Sequence, residues 1–245
     1  MAWGQAPAYS AAGIVNASNY TAGPFAPNSV LSLFGSNLAY TTQALTAEMI
    51  SGNKLPTTLA ATIVLVENSP APLLYVSPTQ INFLIPSDQI PGDITVQVVR
   101  QSVRGPKVTI TLVDVAPALF ISPDGDPFLL AQDWTLDNAV ITVANPAHSG
   151  NFVVIYATGL GHTRPNPSPG EIPQTAAYLA TADFTVVVNG APLDPFFVRY
   201  AGVTPGCAGL YQVNLMLPGW IGFDPEIQLA VGSQTTPPGI KLVVR

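Results

Sequence analysis

Charge is scarce in this sequence. Lys, Arg, Asp and Glu make up 9% of its 245 residues, against roughly 25% in an average globular chain. Eight basic and fourteen acidic residues leave a net charge of −6. No basic cluster is present to follow a phosphate backbone, which excludes nucleic acid as a partner. Cysteine occurs once, at Cys207, so there is no intramolecular disulfide framework. Histidine occurs twice, at His148 and His162, too few and too far from other ligands for the common zinc sites. No phosphate-binding loop, dinucleotide fingerprint or Gly-x-Ser-x-Gly elbow occurs. Long apolar runs are missing too. Stretches such as Ile63–Val66 and Phe152–Ala157 have strand length, well short of the ~18 residues of a spanning helix. No cofactor, catalytic group or membrane span is expected.

What the chain has in quantity is proline (25) and glycine (20), spread throughout. Such punctuation favours many short strands joined by tight turns. It also says one thing twice. Val30-Leu-Ser-Leu-Phe34-Gly-Ser-Asn-Leu38 is answered by Phe152-Val-Val-Ile-Tyr156-Ala-Thr-Gly-Leu160, and Gln80-Ile-Asn82-Phe-Leu-Ile-Pro86 by Gln212-Val-Asn214-Leu-Met-Leu-Pro218. The offsets are 156 − 34 = 122 and 212 − 80 = 132. The same motif order with one modest insertion means two copies of one structural unit. About 100 residues per copy suits an immunoglobulin-like sandwich.

The expected organisation follows. Residues 1–24 form an N-terminal segment that adds a strand, 25–117 the first sandwich, 118–148 a linker, and 149–245 the second sandwich. Thr62–Glu67, rich in β-branched residues, reads as a strand. A hairpin is expected around Gln101–Pro106 and another at Asn189-Gly190. Residues 40–54, without glycine until Gly52, are the best place for a short helix, with a loop as the near-equal alternative. In the linker, Phe128–Ala131 and Ala139–Val143 are expected to pair, and Ile240–Val244 to form the last strand.

Each copy resembles an IPT/TIG immunoglobulin-like domain. The resemblance rests on Ser77-Pro-Thr-Gln-Ile-Asn-Phe-Leu-Ile-Pro86 and the glycine-started Gly92-Asp-Ile-Thr-Val96. The whole chain further resembles a β-sandwich module found at the C-termini of secreted Solibacter and other acidobacterial proteins. The matching stretches include Gly13-Ile-Val-Asn-Ala-Ser18, Ala71-Pro-Leu-Leu-Tyr-Val-Ser77, Val115-Ala-Pro-Ala-Leu-Phe120 and Gly209-Leu-Tyr-Gln-Val-Asn214. The resemblance implies a secreted pair of sandwiches and carries no reaction or site residues with it. The chain departs from that pattern at Ala131-Gln-Asp-Trp-Thr-Leu-Asp-Asn138, where Trp134 replaces a turn glycine.

Several residues carry chemistry that can be weighed against plain scaffolding. Gln80, Asn82, Gln212 and Asn214 could present amides to a ligand. Their recurrence favours the alternative, that they hold polar groups where a strand bends, because a buried amide must be bonded. Asp124, Asp126, Asp133 and Asp137 crowd one segment and are weak calcium candidates, since calcium takes several carboxylate and carbonyl oxygens; the favoured reading is two acidic turns on a solvated surface. Cys207, in a Pro-Gly-Cys-Ala-Gly loop, reads as a small buried residue at a turn rather than a nucleophile. Trp3, Trp134 and Trp220 lie outside the confident strands. In loops they either anchor a partner or sugar, or fill gaps in the packing.

The expected function is therefore a non-catalytic, secreted structural or interaction module at the bacterial cell surface, working in adhesion or protein–protein contact. Self-assembly by strand addition and carbohydrate binding are the alternatives. The start, Ala2-Trp-Gly-Gln-Ala6, resembles the small-residue tail left at a signal-peptide cleavage site, in keeping with a mature exported protein.

Overall fold

In the computed structural model, which describes residues 5–122, 124–125 and 127–245, the chain is all-β. It carries tandem immunoglobulin-like sandwiches, each made of two sheets around its own core. It divides into two compact units. Unit 1 comprises 1–114, 166–175 and 205–209; unit 2 comprises 115–165, 176–204 and 210–245.

Unit 1 holds ten strands: β1 (Ile14–Asn16), β2 (Val30–Phe34), β3 (Gln43–Ala44), β4 (Thr62–Val66), β5 (Ser69–Pro70), β6 (Leu73–Val76), β7 (Gln80–Leu84), β8 (Gly92–Arg100), β9 (Val103–Arg104) and β10 (Val108–Leu112). One sheet runs β1-β2-β7-β6-β3 and the other β10-β8-β4-β5. Alternation builds the core between them. Leu31 and Leu33 of β2, Ile81 and Phe83 of β7, and Val64 and Val66 of β4 are all buried in one cluster. At roughly 1.5–3 kcal/mol per fully buried large apolar side chain, this layer supplies most of the drive to fold.

Unit 2 repeats the plan with β11 (Ala118–Leu119), β12 (Ala131–Asp133), β13 (Ala139–Val140), β14 (Phe152–Thr158), β15 (Thr163–Arg164), β16 (Ala177–Leu179), β17 (Phe184–Val188), β18 (Ala191–Pro192), β19 (Val198–Val203), β20 (Tyr211–Met216), β21 (Ile227–Val231) and β22 (Gln234–Thr235). Its larger sheet runs β13-β12-β14-β20-β19-β16-β15 and its smaller one β18-β17-β21-β22. Individual hydrogen bonds recur at the same offsets. Asn28 N donates to Ile85 O, as Gly150 N does to Leu217 O; Ala71 N donates to Val64 O, as Leu193 N does to Val186 O.

The insertion between copies resolves into two steps. Tyr75 pairs with Asn82 and Tyr200 with Asn214, so the offset grows from 122 to 200 − 75 = 125 just before β19, and to 132 only at β20. The second step adds the loop between β19 and β20, and its residues Pro205–Gly209 belong to unit 1.

Several local expectations change. Residues 40–54 form no α-helix. Gln43–Ala44 pairs with β6, and only one 3₁₀ turn follows, Ala47–Met49. Gln43 Oε1 accepts from Ala60 N at 2.6 Å, and with this tertiary bonding the segment stays extended. The linker hairpin is shifted to β12 and β13, with Gln132 opposite Val140, and β12 also pairs with β14 in the sheet of unit 2. Ile240–Val244 makes isolated bridges at Lys241 and Val244. Leu242, Val243 and Val244 are buried in succession, which a regular strand with alternating faces does not allow. The turns at Gln101-Ser102 and Asn189-Gly190 have the positive φ values that tight hairpins need.

Candidate functional site: an aromatic rim on unit 2

The outward face of a strand carries every second residue. On β14 these are Phe152, Val154 and Tyr156; on β20 they are Gln212, Asn214 and Met216. Phe152 and Met216 are cross-strand partners at one end of the face. Beside them a bulge between Val198 and Tyr200 leaves Arg199 exposed. Arg199 Nη2 lies 3.5 Å from Met216 Sδ, and its guanidinium carbon sits 4.5 Å from the Phe196 ring centroid.

The line of side chains continues in both directions. Phe196 meets Phe197 edge to face at 5.4 Å, and Phe197 meets Trp220 at 6.5 Å. On the other side Trp134 and Phe152 flank a hollow of about 310 Å³ with Thr135. Exposure is high along this rim: Trp134 59%, Phe152 42%, Phe196 61% and Trp220 64%. Aromatic residues, Met and Arg are enriched at protein interfaces, and Trp and Arg are among the types that carry most of the binding energy.

Unit 1 shows what the same place looks like when it is covered. Val30 and Leu84 occupy the positions of Phe152 and Met216 (152 − 30 = 122; 216 − 84 = 132). Both are buried, in a cluster with Leu55 and Ile172. Gly209 lies against them, so closely that a Cβ there would stand 2.2 Å from Leu84 Cδ1. The aliphatic pair is covered; in its counterpart Phe152 is exposed and Met216 is half-buried.

Trp134 reaches the rim because the departure from the expected turn forms a 3₁₀ turn, Trp134–Leu136. Asp133 caps it by accepting from Thr135 N at 2.8 Å, and Asp137 closes it in the left-handed region. The expected acidic group is not assembled. Asp124 accepts from Val143 N at 2.7 Å, Asp133 is buried in its cap, and Asp137 is exposed. Asp126 and Trp3 lie outside the described residues. Among the described residues no three His, Cys, Asp or Glu side chains are placed to hold a metal.

The four amides are half-buried on outward faces. Gln80 Nε2 donates to Asn82 Oδ1 at 2.8 Å, and Gln212 Nε2 to Asn214 Oδ1 at 3.0 Å. Each asparagine stands beside the bulge of its neighbouring strand, and Ser32 Oγ also donates to Asn82. They bond to one another rather than to the backbone. His148 Nδ1 lies 2.8 Å from Arg245 O, and His162 O accepts from Ala180 N, so the two histidines serve separate loops. Cys207 is exposed on its loop rather than buried as expected, and the part of its thiol that is desolvated pushes its pKa up, the opposite direction from an activated nucleophile. The rim residues Phe152, Phe196 and Arg199 had no signal in the sequence, since nothing there separates an exposed from a covered outward face.

The IPT/TIG domain model matches residues 17–112. None of the curated proteins matches the chain. Solved structures with a similar trace include the SGBP-B protein of a mixed-linkage glucan utilization locus of Bacteroides ovatus (11% identity, TM-score 0.36, covering 89% of this chain and 41% of that one). They also include the surface glycan-binding protein PbSGBP-B of Prevotella bryantii (12%, TM-score 0.29, 98% and 42%) and domains 5–6 of the S-layer protein SbsC (12%, TM-score 0.29, 97% and 98%). The chain spans about two fifths of the two glycan-binding proteins. Among the described residues no helix is long and apolar enough to cross a membrane.

Proposed function

We propose that this chain is a non-catalytic structural or interaction module, exported to the bacterial cell surface, that makes protein contacts through the aromatic rim of unit 2. The observation that carries this reading is the row of exposed Trp134, Phe152, Arg199, Phe196 and Trp220 around the half-buried Met216, at a place where unit 1 buries the equivalents of Phe152 and Met216. Exposed apolar rows of this kind mark contact surfaces. Carbohydrate is the second reading, favoured by Gln212 and Asn214 on the same face as Phe152 and Met216. Labelled chain applied to protein and polysaccharide arrays tests both. Protein signals lost in Trp134→Ala and Phe196→Ala, with the circular dichroism spectrum retained, support the first. Polysaccharide signals with the same dependence move the reading to glycans. Robust turnover in a hydrolase panel, abolished by one Asp or His substitution, would overturn both.

A further inference from the structure

Sheet edges are where a chain invites another strand, and proteins blunt them with short strands, proline, charge or cover. Here nearly every edge is blunt. Among the described residues β3, β5, β13, β15, β18 and β22 are two residues long, β1 has three, and β5 and β18 end in proline. The exception is β10, an edge strand of five residues with threonine at positions 109 and 111 and no proline, charge or bulge within it.

The direction of its polar groups is fixed by its neighbours. Thr95 O accepts from Glu67 N on the β4 side of β8, so Thr95 turns away from β10. Its register partner Thr109 then turns its N–H and C=O away from β8. On that outer side Phe25 N donates to Thr111 O and Val113 N to Phe25 O. This short parallel bridge covers only the C-terminal end of the strand. The Thr109 N–H and C=O and the Thr111 N–H face a groove of about 430 Å³, walled opposite by Ala22, Pro24 and Phe25 and closed by Ala11 and Ile14.

We propose that this groove accepts an extended polypeptide segment, which adds to β10 by main-chain hydrogen bonds at Thr109 and Thr111 and seats small or apolar side chains on the groove wall. Main-chain groups give such a site its affinity, and alternate side chains give it selectivity. The opposite wall selects the kind of occupant. Phe25 is bonded directly to β10, so the groove opens only where the chain before it diverges; its volume of about 430 Å³ suits a few residues of one extended chain, whereas the edge of a folded sheet brings its neighbours with it. The site lies in unit 1 and does not depend on the rim of unit 2.

The test uses the full ¹⁵N-labelled chain and a capped heptapeptide of alternating valine and threonine, flanked by one lysine at each end. The expected result is movement of the Thr109 and Thr111 amide signals on titration, with slower solvent exchange at both. It should be lost in Thr109→Pro, which removes the outward N–H from an edge position that tolerates proline. It should also be lost in Ala22→Trp, which fills the groove from the other wall without touching β10. An absence of shifts at these amides, or shifts gathered elsewhere, overturns the proposal. So does a chain that dimerises by itself in light scattering and becomes monomeric in Thr109→Pro, because the edge would then take a folded sheet.

Discussion

Gln212 and Asn214, two residues apart on one strand, bond amide to amide at 3.0 Å, and Gln80 and Asn82 repeat the bond at 2.8 Å in the other unit. Among the described residues only the second pair has a further donor, Ser32 Oγ at 3.1 Å. A net hydrogen bond contributes about 0.5–1.5 kcal/mol. Asn214→Ala should therefore destabilise the protein by about 1 kcal/mol and Asn82→Ala by about twice that. Urea denaturation followed at a probe in each unit measures both. Equal losses would mean that Ser32 contributes nothing.

Arg100 is 2% exposed, and among the described residues no carboxylate pairs with it. It donates to Asn37 O at 2.6 Å and Gln5 O at 2.5 Å, and stacks on Tyr40 at 4.0 Å. Truncation leaves two carbonyls without their donor. Arg100→Ala should cost about 2–4 kcal/mol and free the Gln5 segment, read as new proteolytic cleavage before Tyr9.

Gly209 has a φ of +73° and no room for a Cβ beside Leu84 and Val30. Gly209→Ala combines a strained backbone with overpacking and should cost about 1–3 kcal/mol. Gly190, also at positive φ but with nothing within 4 Å, separates the two contributions: Gly190→Ala should cost about 1 kcal/mol from the backbone alone.

Phe152 and Trp134 are exposed, so Phe152→Ser and Trp134→Ala should change stability by less than about 0.5 kcal/mol. A larger loss in thermal unfolding would mean that the rim is part of the packing and unavailable to a partner.

Tyr9 is held above its ordinary pKa of 10.0, chiefly by burial. Its hydroxyl donates to Pro106 O and accepts from Val98 N. A raised folded-state pKa adds stability that is complete below pH 10 and is lost as pH climbs through the folded value. The wild-type protein should weaken above pH 10 more steeply than Tyr9→Phe, in urea midpoints taken from pH 8 to 11.

Much of this architecture is legible in the residues themselves. Ile81 and Phe83 against Gln80 and Asn82 announce a two-faced strand. The return of that pattern at Gln212–Leu215 announces a second sandwich, because periodicity is a local property that survives without neighbours. The extended course of Gln43–Ala44 is not legible, because a distant strand and Ala60 decide it. The covering of Leu84 by Ile172 and Gly209 is equally silent, since contacts across more than eighty residues leave no spacing behind. The rim follows from the same gap. Val30 and Phe152 occupy matching places in matching patterns, and only packing distinguishes the hidden one from the open one.

The placement of Pro205–Gly209 within unit 1 has a consequence for synthesis. Strands up to β10 leave the ribosome early, yet the surface at Val30 and Leu84 is covered only in part until Ile172 and then Gly209, some ninety-five residues beyond Asp114, have emerged. A chain cut after Asp114 should emerge with part of that greasy surface uncovered and prone to stick, and supplying the missing loops is what would make it soluble.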